Sequence, residues 1–304
     1  MDDIRILATG LLFPEGPVAL ADGSVLVVEL RGGTLRRVRP DGTVSLVAEC
    51  GGGPNGAAIG PDGAAYVCNN GGARYAPGRL LSLGPAEDYT GGTVQRVDLA
   101  TGRVETLHDR CDGVRLSAPN DLVFDRHGGF YFTDMGKKHP RHRVHGGLYY
   151  AMPDGSGLRE LAYPLNQPNG VALSPDGGTV YVAETDTSRL WAFDVTGPGQ
   201  VARGGSPAPH GGRLVVGLPG YQGFDSMAVE AGGNLCVATL VTGHVTVVAP
   251  DGAVLRQVKV PDPHVTNLCF GGPDRRTAYV TLAGRGELAA IPWPVPGLPL
   301  HFGA

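Results

Sequence analysis

The segment Asn169-Gly170-Val171-Ala172-Leu173-Ser174-Pro175-Asp176-Gly177 joins a polar residue to a hydrophobic run and, seven positions after the polar residue, to a tight turn. The same kind of unit occurs six times in the 304-residue chain. The polar residues that begin the six units are Glu15, Asn55, Asn120, Asn169, Asp225 and Thr266. A short unit repeated along a chain is typical of a radial or solenoid architecture.

Each unit has the pattern of four antiparallel strands. In the fourth unit, the runs 171–173 and 180–182 flank the first turn, and in other units a second pair such as Asp154-Gly155 marks another hairpin. No segment keeps apolar residues at helical spacing for three turns. The pattern therefore predicts an all-β fold, a six-bladed β-propeller that forms a single domain over residues 1–304, because radial repetition leaves only short and protected strand edges.

The last unit lacks a fourth strand. It breaks after Ile291 into a proline-rich tail, and prolines cannot continue a strand ladder. The segment from Ile4 to Ala8 precedes the first unit and has the alternation of a spare strand. We therefore predict that the ring is closed by the N-terminal strand, which pairs with the last blade.

Composition and charge limit the partners of the protein. The formal net charge is -4 and the basic residues are scattered, which argues against a nucleic-acid partner. No run of about 18 apolar residues is present, and the first ten residues lack the pattern of a signal peptide, so we expect a cytoplasmic protein without a membrane partner. Five cysteines without a CxxC pair argue against a disulfide framework and a thiolate zinc site. The oligomeric state stays open.

The six polar residues would meet around the axis of a propeller. Two of them are carboxylates and three are carboxamides, and hard cations such as Ca²⁺ choose oxygen ligands of this kind. We predict a divalent metal site with Ca²⁺ as the favoured ion, while Mg²⁺, Mn²⁺ and Zn²⁺ stay open. Any one Asn after a proline could simply complete a turn, but turn chemistry does not require carboxylates at two equivalent positions.

Five short motifs resemble the SMP-30/gluconolactonase/LRE-like family over nearly the whole chain. They are Phe13-Pro14-Glu15-Gly16-Pro17, Ala118-Pro119-Asn120-Asp121, Gln167-Pro168-Asn169-Gly170-Val171-Ala172, Phe224-Asp225-Ser226 and Phe270-Gly271-Gly272-Pro273-Asp274. The run Tyr131-Phe132-Thr133-Asp134 is similar to the bacterial lactonase branch. The resemblance implies a six-bladed propeller with a central divalent metal, usually Ca²⁺, and the hydrolysis of lactones.

The resemblance also implies roles for individual residues. Glu15, Asn169 and Asp225 match the metal ligands of the family, and Asn120 matches a residue that contacts metal or substrate. In the sugar-lactonase branch an arginine that holds a sugar hydroxyl stands two residues before this Asn, whereas Arg115 stands five before it.

Further substrate contacts are predicted at the axis and on the rim of the ring. Asn55 belongs to the ring of polar residues. Tyr75 lies in the long segment Asn69 to Gly92, which we interpret as a lid, and His244 ends the rim loop that begins at Thr239.

The leading hypothesis is the hydrolysis of a lactone to its hydroxy acid. The cation would polarise the carbonyl group, and the resemblance points to Asp225 as the group that assists attack by water. The sequence contains no Gly-x-Ser-x-Gly, HExxH or phosphate-loop motif that would indicate a different catalytic mechanism. A rim histidine could share the role of general base. The alternatives are an organophosphate or ester hydrolase, a cyclising enzyme of the strictosidine synthase type, or a non-catalytic ligand-binding propeller, since a fold does not fix a function. The particular lactone stays open.

Overall fold

The computed structural model describes residues 4–76, 82–139 and 141–303. Six antiparallel sheets are arranged around one axis, and no helix occurs in these three ranges. The innermost strands contact one another in chain order, and the sixth contacts the first. The prediction of an all-β six-bladed β-propeller is confirmed.

The strands of each blade follow one another from the axis outward. Blade 1 consists of Pro14–Ala19, Val25–Glu29, Thr34–Val38 and Val44–Glu49, and blade 2 of Pro54–Ile59, Ala65–Asn69, Thr93–Val97 and Val104–His108. Blade 3 consists of Pro119–Phe124, Phe130–Asp134, Gly146–Ala151 and Arg159–Leu165, and blade 4 of Pro168–Leu173, Thr179–Glu184, Arg189–Gly197 and Arg213–Gly217, with Gln200–Val201 as a short additional strand. Blade 5 consists of Gly223–Val229, Leu235–Leu240, His244–Val248 and Val254–Lys259.

Blade 6 combines the last three strands of the chain with the first one. Its strands are Val265–Gly271, Thr277–Leu282, Glu287–Pro292 and, outermost, Arg5–Ala8. The N-terminal strand runs antiparallel to the third strand, with Arg5 opposite Ala290. The predicted closure of the ring is therefore confirmed.

Three small hairpins extend the loops between strands. They pair Ala73–Tyr75 with Ser82–Pro85, Arg110–Cys111 with Val114–Arg115, and Lys137–Lys138 with Arg143–Val144. The first hairpin belongs to the segment that we interpreted as a lid, of which residues 77–81 lie outside the described ranges. This segment is thus partly regular structure rather than a simple loop.

The hydrophobic core lies between neighbouring blades. Val28 of blade 1 and Val67 of blade 2, for example, are both fully buried in one cluster, and Ala183 of blade 4 shares another with Val237 of blade 5. Burial of an aliphatic side chain stabilises a fold by about 1.5–3 kcal/mol. The same contacts that stabilise the blades therefore hold the six inner strands at a fixed distance from the axis.

A β-bulge lies near the start of every inner strand. In blade 1, Glu15 pairs with Val28 and Val18 pairs with Leu26, so that three steps along the inner strand match two along its partner. The other five inner strands each contain one extra residue in the same way. A bulge re-aims the side chains beside it, and here it changes which residues face the axis.

Glycine follows the polar residue in three blades because neighbouring inner strands touch there through their backbones. A Cβ atom on Gly170 would lie 2.8 Å from the carbonyl oxygen of Asp225 and 2.8 Å from the amide nitrogen of Met227. On Gly16, whose φ is 47°, it would lie 2.4 Å from the carbonyl oxygen of Asn55. The Pro-x-Gly pattern of the repeat is thus a requirement for a narrow ring.

We expect Gly170→Ala to lower the free energy of unfolding by about 1–3 kcal/mol, because the added methyl group forces blades 4 and 5 apart. Gly232→Ala is the matched control, since a Cβ at Gly232 meets no atom within 4 Å. Its effect should stay within about 0.5 kcal/mol. Urea unfolding followed by circular dichroism measures both values, and equal midpoints for the two variants would contradict the close approach.

Candidate active site

The polar residues of the repeat occupy equivalent places around the axis. Each one is the second or third residue of its inner strand, directly beside the bulge. Glu15, Asn55, Asn120, Asn169 and Asp225 are all buried, with at most 5% of each exposed. The structure therefore brings together the four predicted metal ligands and Asn55 at one level of the ring.

Three carboxylates face one another in this ring. Burial raises the pKa of Glu15 well above its usual range, and the nearby charges of Asp225 and Asp121 raise it further. Burial also raises the pKa of Asp225 to about 8 and that of Asp121 to about 7. No lysine, arginine or histidine within 4.0 Å pairs with any of the three in the described ranges. The ring thus brings three carboxyl groups together without a protein counter-charge.

Two carboxamide oxygens in the ring have no hydrogen-bond partner. They are Oδ1 of Asn55 and Oδ1 of Asn120, and both atoms are buried. A buried acceptor without a partner costs about 1–3 kcal/mol. Asn169 differs, because its Nδ2 donates to Thr185 Oγ1 at 3.1 Å while its Oδ1 accepts from Ser226 Oγ at 3.2 Å. The first two oxygens are therefore the ones that most need a ligand.

Blade 6 contributes Asn267 to the ring rather than Thr266. The hydroxyl group of Thr266 donates to the carbonyl oxygen of Pro14 at 3.1 Å and lies 2.9 Å from the hydroxyl of Thr281. Asn267 instead hydrogen-bonds the carboxylate of Glu15, which lowers the pKa of that group. Thr266 therefore ties blade 6 to blade 1. Its place in the repeat had predicted that it would complete the oxygen ring, and the structure shows that it does not.

Three residues of the site, Asp121, Ser226 and Asn267, were not predicted from the repeat. They directly follow the polar residue in blades 3, 5 and 6, at the position that glycine occupies in the other three blades. Asp121 accepts a hydrogen bond from the backbone nitrogen of Leu122 at 2.9 Å, and it also influences the pKa of both Glu15 and Asp225. The pairs Asn-Asp, Asp-Ser and Thr-Asn were visible in the sequence, but strict alternation places their second members away from the axis.

The ring suits a hard divalent cation. Its donors are carboxylate and carboxamide oxygens, which Ca²⁺ and Mg²⁺ prefer, and two of the carboxamide oxygens are buried without a protein partner. Among the described residues, no three His, Cys, Asp or Glu side chains come together as a metal site by themselves. A cation site here would therefore combine these carboxylates with the neighbouring carboxamides of Asn55, Asn120 and Asn169.

Tyr75 lies close to the ring, where the charge of Glu15 contributes to its raised pKa after the larger effect of burial. The guanidinium group of Arg31 stacks over the Tyr75 ring at 4.1 Å and lies 5.7 Å from the ring of Phe13. Phe13 has a φ of 62°, a costly conformation for this residue type, two positions before Glu15. Tyr75 is thus placed where a substrate could touch it.

Arg115 and His244 make no described contact with the ring. Arg115 is exposed and its guanidinium lies 3.7 Å from the carboxylate of Asp109. His244 begins the third strand of blade 5, and its pKa is lowered by burial and then by Lys259. Their predicted roles in substrate binding stay predictions.

The fold and the buried oxygen ring define a class of protein, a six-bladed propeller with an acidic and amide-lined site on its axis. The chain belongs to the SMP-30/gluconolactonase/LRE-like family, whose model matches residues 13–284. This membership confirms the resemblance that the five motifs indicated.

Named relatives cover most of the chain. It is 26% identical to a gluconolactonase of Zymomonas mobilis over 88% of this chain and 76% of the relative. It is 30% identical to the lactonase drp35 of Staphylococcus saprophyticus over 81% of this chain and 69% of the relative. The solved structure of a gluconolactonase from Xanthomonas campestris is 27% identical, with a TM-score of 0.75 over 96% of this chain and 89% of that one. In the described residues, no helix has the length and apolar character needed to cross a membrane.

Proposed function

We propose that the protein hydrolyses a lactone to its hydroxy acid with the help of a divalent cation, and that this cation is Ca²⁺. The observation that carries the proposal is the buried ring, in which three carboxylates and two unpartnered carboxamide oxygens face one another. The gluconolactonase and lactonase names of the relatives support the same reaction class. Glu15, Asn120, Asn169 and Asp225 would hold the ion.

The bound cation would polarise the lactone carbonyl and stabilise the developing oxyanion. Asp225 assists by accepting a proton from the attacking water. The backbone nitrogen of Ser226 donates to Asp225 Oδ1 at 3.0 Å, which fixes the direction of the carboxylate. Ser226 also holds Asn169 through its hydroxyl group. These two residues therefore set the orientation of the base and of one ligand.

Residues around the ring would position the substrate. Asn120 and Asn55 have acceptor oxygens that are free of protein partners, and Tyr75 offers an aromatic face beside Glu15. Arg115 and His244 complete the proposed contacts at the rim. The burial of the ring excludes bulk water, which strengthens every electrostatic interaction with the reacting carbonyl group.

A panel of sugar lactones and aliphatic lactones, followed by acid release in a pH-stat, tests the proposal. We expect at least one lactone to be hydrolysed with Ca²⁺ present and the rate to fall to background after treatment with a chelator. Restored activity on adding Ca²⁺ would separate metal loss from denaturation. Undiminished hydrolysis without metal would overturn the mechanism, and tight Ca²⁺ binding without turnover of any ester would favour a binding propeller.

A further inference from the structure

A cavity lies on the axis, below the oxygen ring. Its volume is about 130 Å³. It touches the ring level only at Gly16, Asp121 and Asn267, and extends from there toward the turns that join the first and second strands of each blade. The four proposed metal ligands do not line it. We call this cavity the axial chamber.

The walls of the axial chamber are mostly apolar. They include Val18, Ala172, Met227 and Phe270 from four different inner strands. Apart from Asp121, Ser174, Asn267, Arg275 and His301, its described lining side chains are apolar or glycine. An apolar cavity of about 150 Å³ in another protein binds benzene, so a chamber of this size can hold a small organic molecule.

The C-terminal segment 298–303 forms the floor of the axial chamber. The backbone nitrogen of Leu298 donates to the carbonyl oxygen of Val229 at 2.8 Å, which fixes the start of the floor to blade 5. The ring of Phe302 packs edge-on against Phe124 of blade 3 with 5.7 Å between the ring centroids. The tail thus crosses the lower mouth of the tunnel and contacts blades on both sides.

Charge distinguishes the two ends of the axial chamber. Asp121 lies at the inner end, whereas Arg275 and His301 lie at the outer end. Arg275 donates through Nε to the carbonyl oxygen of Gly297 at 3.2 Å, and no carboxylate within 4.0 Å pairs with it in the described ranges. A ligand with an anionic head is attracted to Arg275 at the outer end, while Asp121 offers it no counter-charge at the inner end.

We propose that the axial chamber binds a short aliphatic carboxylate, with its carboxylate group at Arg275 and its chain pointing toward the ring. The apolar walls match the chain, and the guanidinium group matches the head. This site adjoins the oxygen ring at Asp121 and Asn267 but contains none of the four proposed metal ligands, and it does not depend on the proposed lactonase function. Its outer end lies near the protein surface, where Leu300 and His301 are exposed.

Calorimetric titration of the full-length protein with octanoate tests the proposal. We expect one saturable site, and affinity should fall from octanoate to hexanoate to butanoate by up to about fourfold for each methylene removed. Arg275→Gln should weaken octanoate binding at least tenfold but leave the binding of octan-1-ol unchanged. The strained φ of 54° at Arg275 is equally unfavourable for glutamine, so the exchange tests the charge.

Two further variants separate the axial chamber from other sites. Ala228→Leu places a larger side chain on the chamber wall and should abolish the binding of both octanoate and octan-1-ol. Asp225→Asn with chelator present should leave octanoate binding intact, because the ring does not hold the ligand. Octanoate binding that disappears with the cation, that ignores Arg275→Gln, or that is absent in the wild type at millimolar concentration would overturn the proposal. If Ala228→Leu fails to fold, the comparison of octanoate with octan-1-ol still decides.

Discussion

Replacing Asp225 by asparagine is expected to lower kcat/KM for a hydrolysed lactone by about a thousandfold or more. A positioned general base typically contributes about 10²–10⁴ in rate, and the same substitution removes one negative charge from the cation site. The side chain of asparagine has nearly the same shape and keeps the oxygen that accepts from the backbone nitrogen of Ser226. The variant should therefore fold normally, and its loss of activity reports chemistry.

Asp251→Asn is the matched control for this experiment. Asp251 belongs to the same blade, is exposed in a turn and accepts a hydrogen bond from the backbone nitrogen of Ala253 at 3.0 Å. Its substitution should leave kcat and KM unchanged. Acid release gives both constants, and calorimetry gives the Ca²⁺ affinity of each variant. If Asp225→Asn keeps more than a tenth of the wild-type activity with Ca²⁺ bound, another group accepts the proton.

The fold could be predicted from the sequence because the same short sequence unit occurs six times. Six units with a polar start and a turn seven positions later define the blades even when single strands are ambiguous, and the proline-rich end of the last unit points to closure by the N-terminal strand. The ring of polar residues followed from the same period, since equivalent positions in a propeller share one radius and one height. The repeat thus predicted both the architecture and the ring of polar residues, and the family resemblance selected the predicted ligands from that ring.

Asp121 and Asn267, which the sequence analysis did not predict as site residues, lie where the two-residue alternation of the inner strands is interrupted. A two-residue alternation predicts that Asp121 and Asn267 point away from the axis when Asn120 and Thr266 point toward it. The extra residue in each bulge breaks this alternation, and no turn motif marks it in the sequence. The contact of Arg115 with Asp109 depends on a two-residue hairpin that the repeat does not contain. Local irregularity therefore limits prediction most at the site itself.

The second large expected effect is a loss of stability with rising pH in the metal-free protein. In the metal-free protein the folded state holds protons on Glu15, Asp121 and Asp225, since burial raises all three pKa values and repulsion by neighbouring carboxylates raises those of Glu15 and Asp225 further. The unfolded chain releases these protons at about pH 4. Stability is therefore greatest below the unfolded pKa values and is lost as pH rises through the folded ones, to about pH 8. The slope is about 1.4 kcal/mol per pH unit for each proton.

Ca²⁺ should abolish this loss of stability with rising pH because it supplies the missing counter-charge. We expect melting temperatures of the chelated protein to fall between pH 5 and pH 8, and those of the Ca²⁺-loaded protein to stay nearly constant. A ligand that binds only the folded state stabilises it by about 2.7 kcal/mol at a hundred times its Kd. Scanning calorimetry at several pH values, with chelator and with Ca²⁺, measures the difference.

Glu15→Gln should raise the melting temperature without metal and lower it with Ca²⁺. This opposite response makes the variant the sharpest test of the charge argument. Without metal at pH 8 the variant should melt higher than the wild type, because one of three repelling buried carboxylates is gone while an oxygen remains to accept from Gly16. With Ca²⁺ the order should invert, since the variant loses a charged ligand. Glu49→Gln, an exposed position in the same blade, should show neither change. A metal-free Glu15→Gln variant that melts below the wild type at pH 8 would show that the ring is stable without a cation, and the oxygen ring would then be structural.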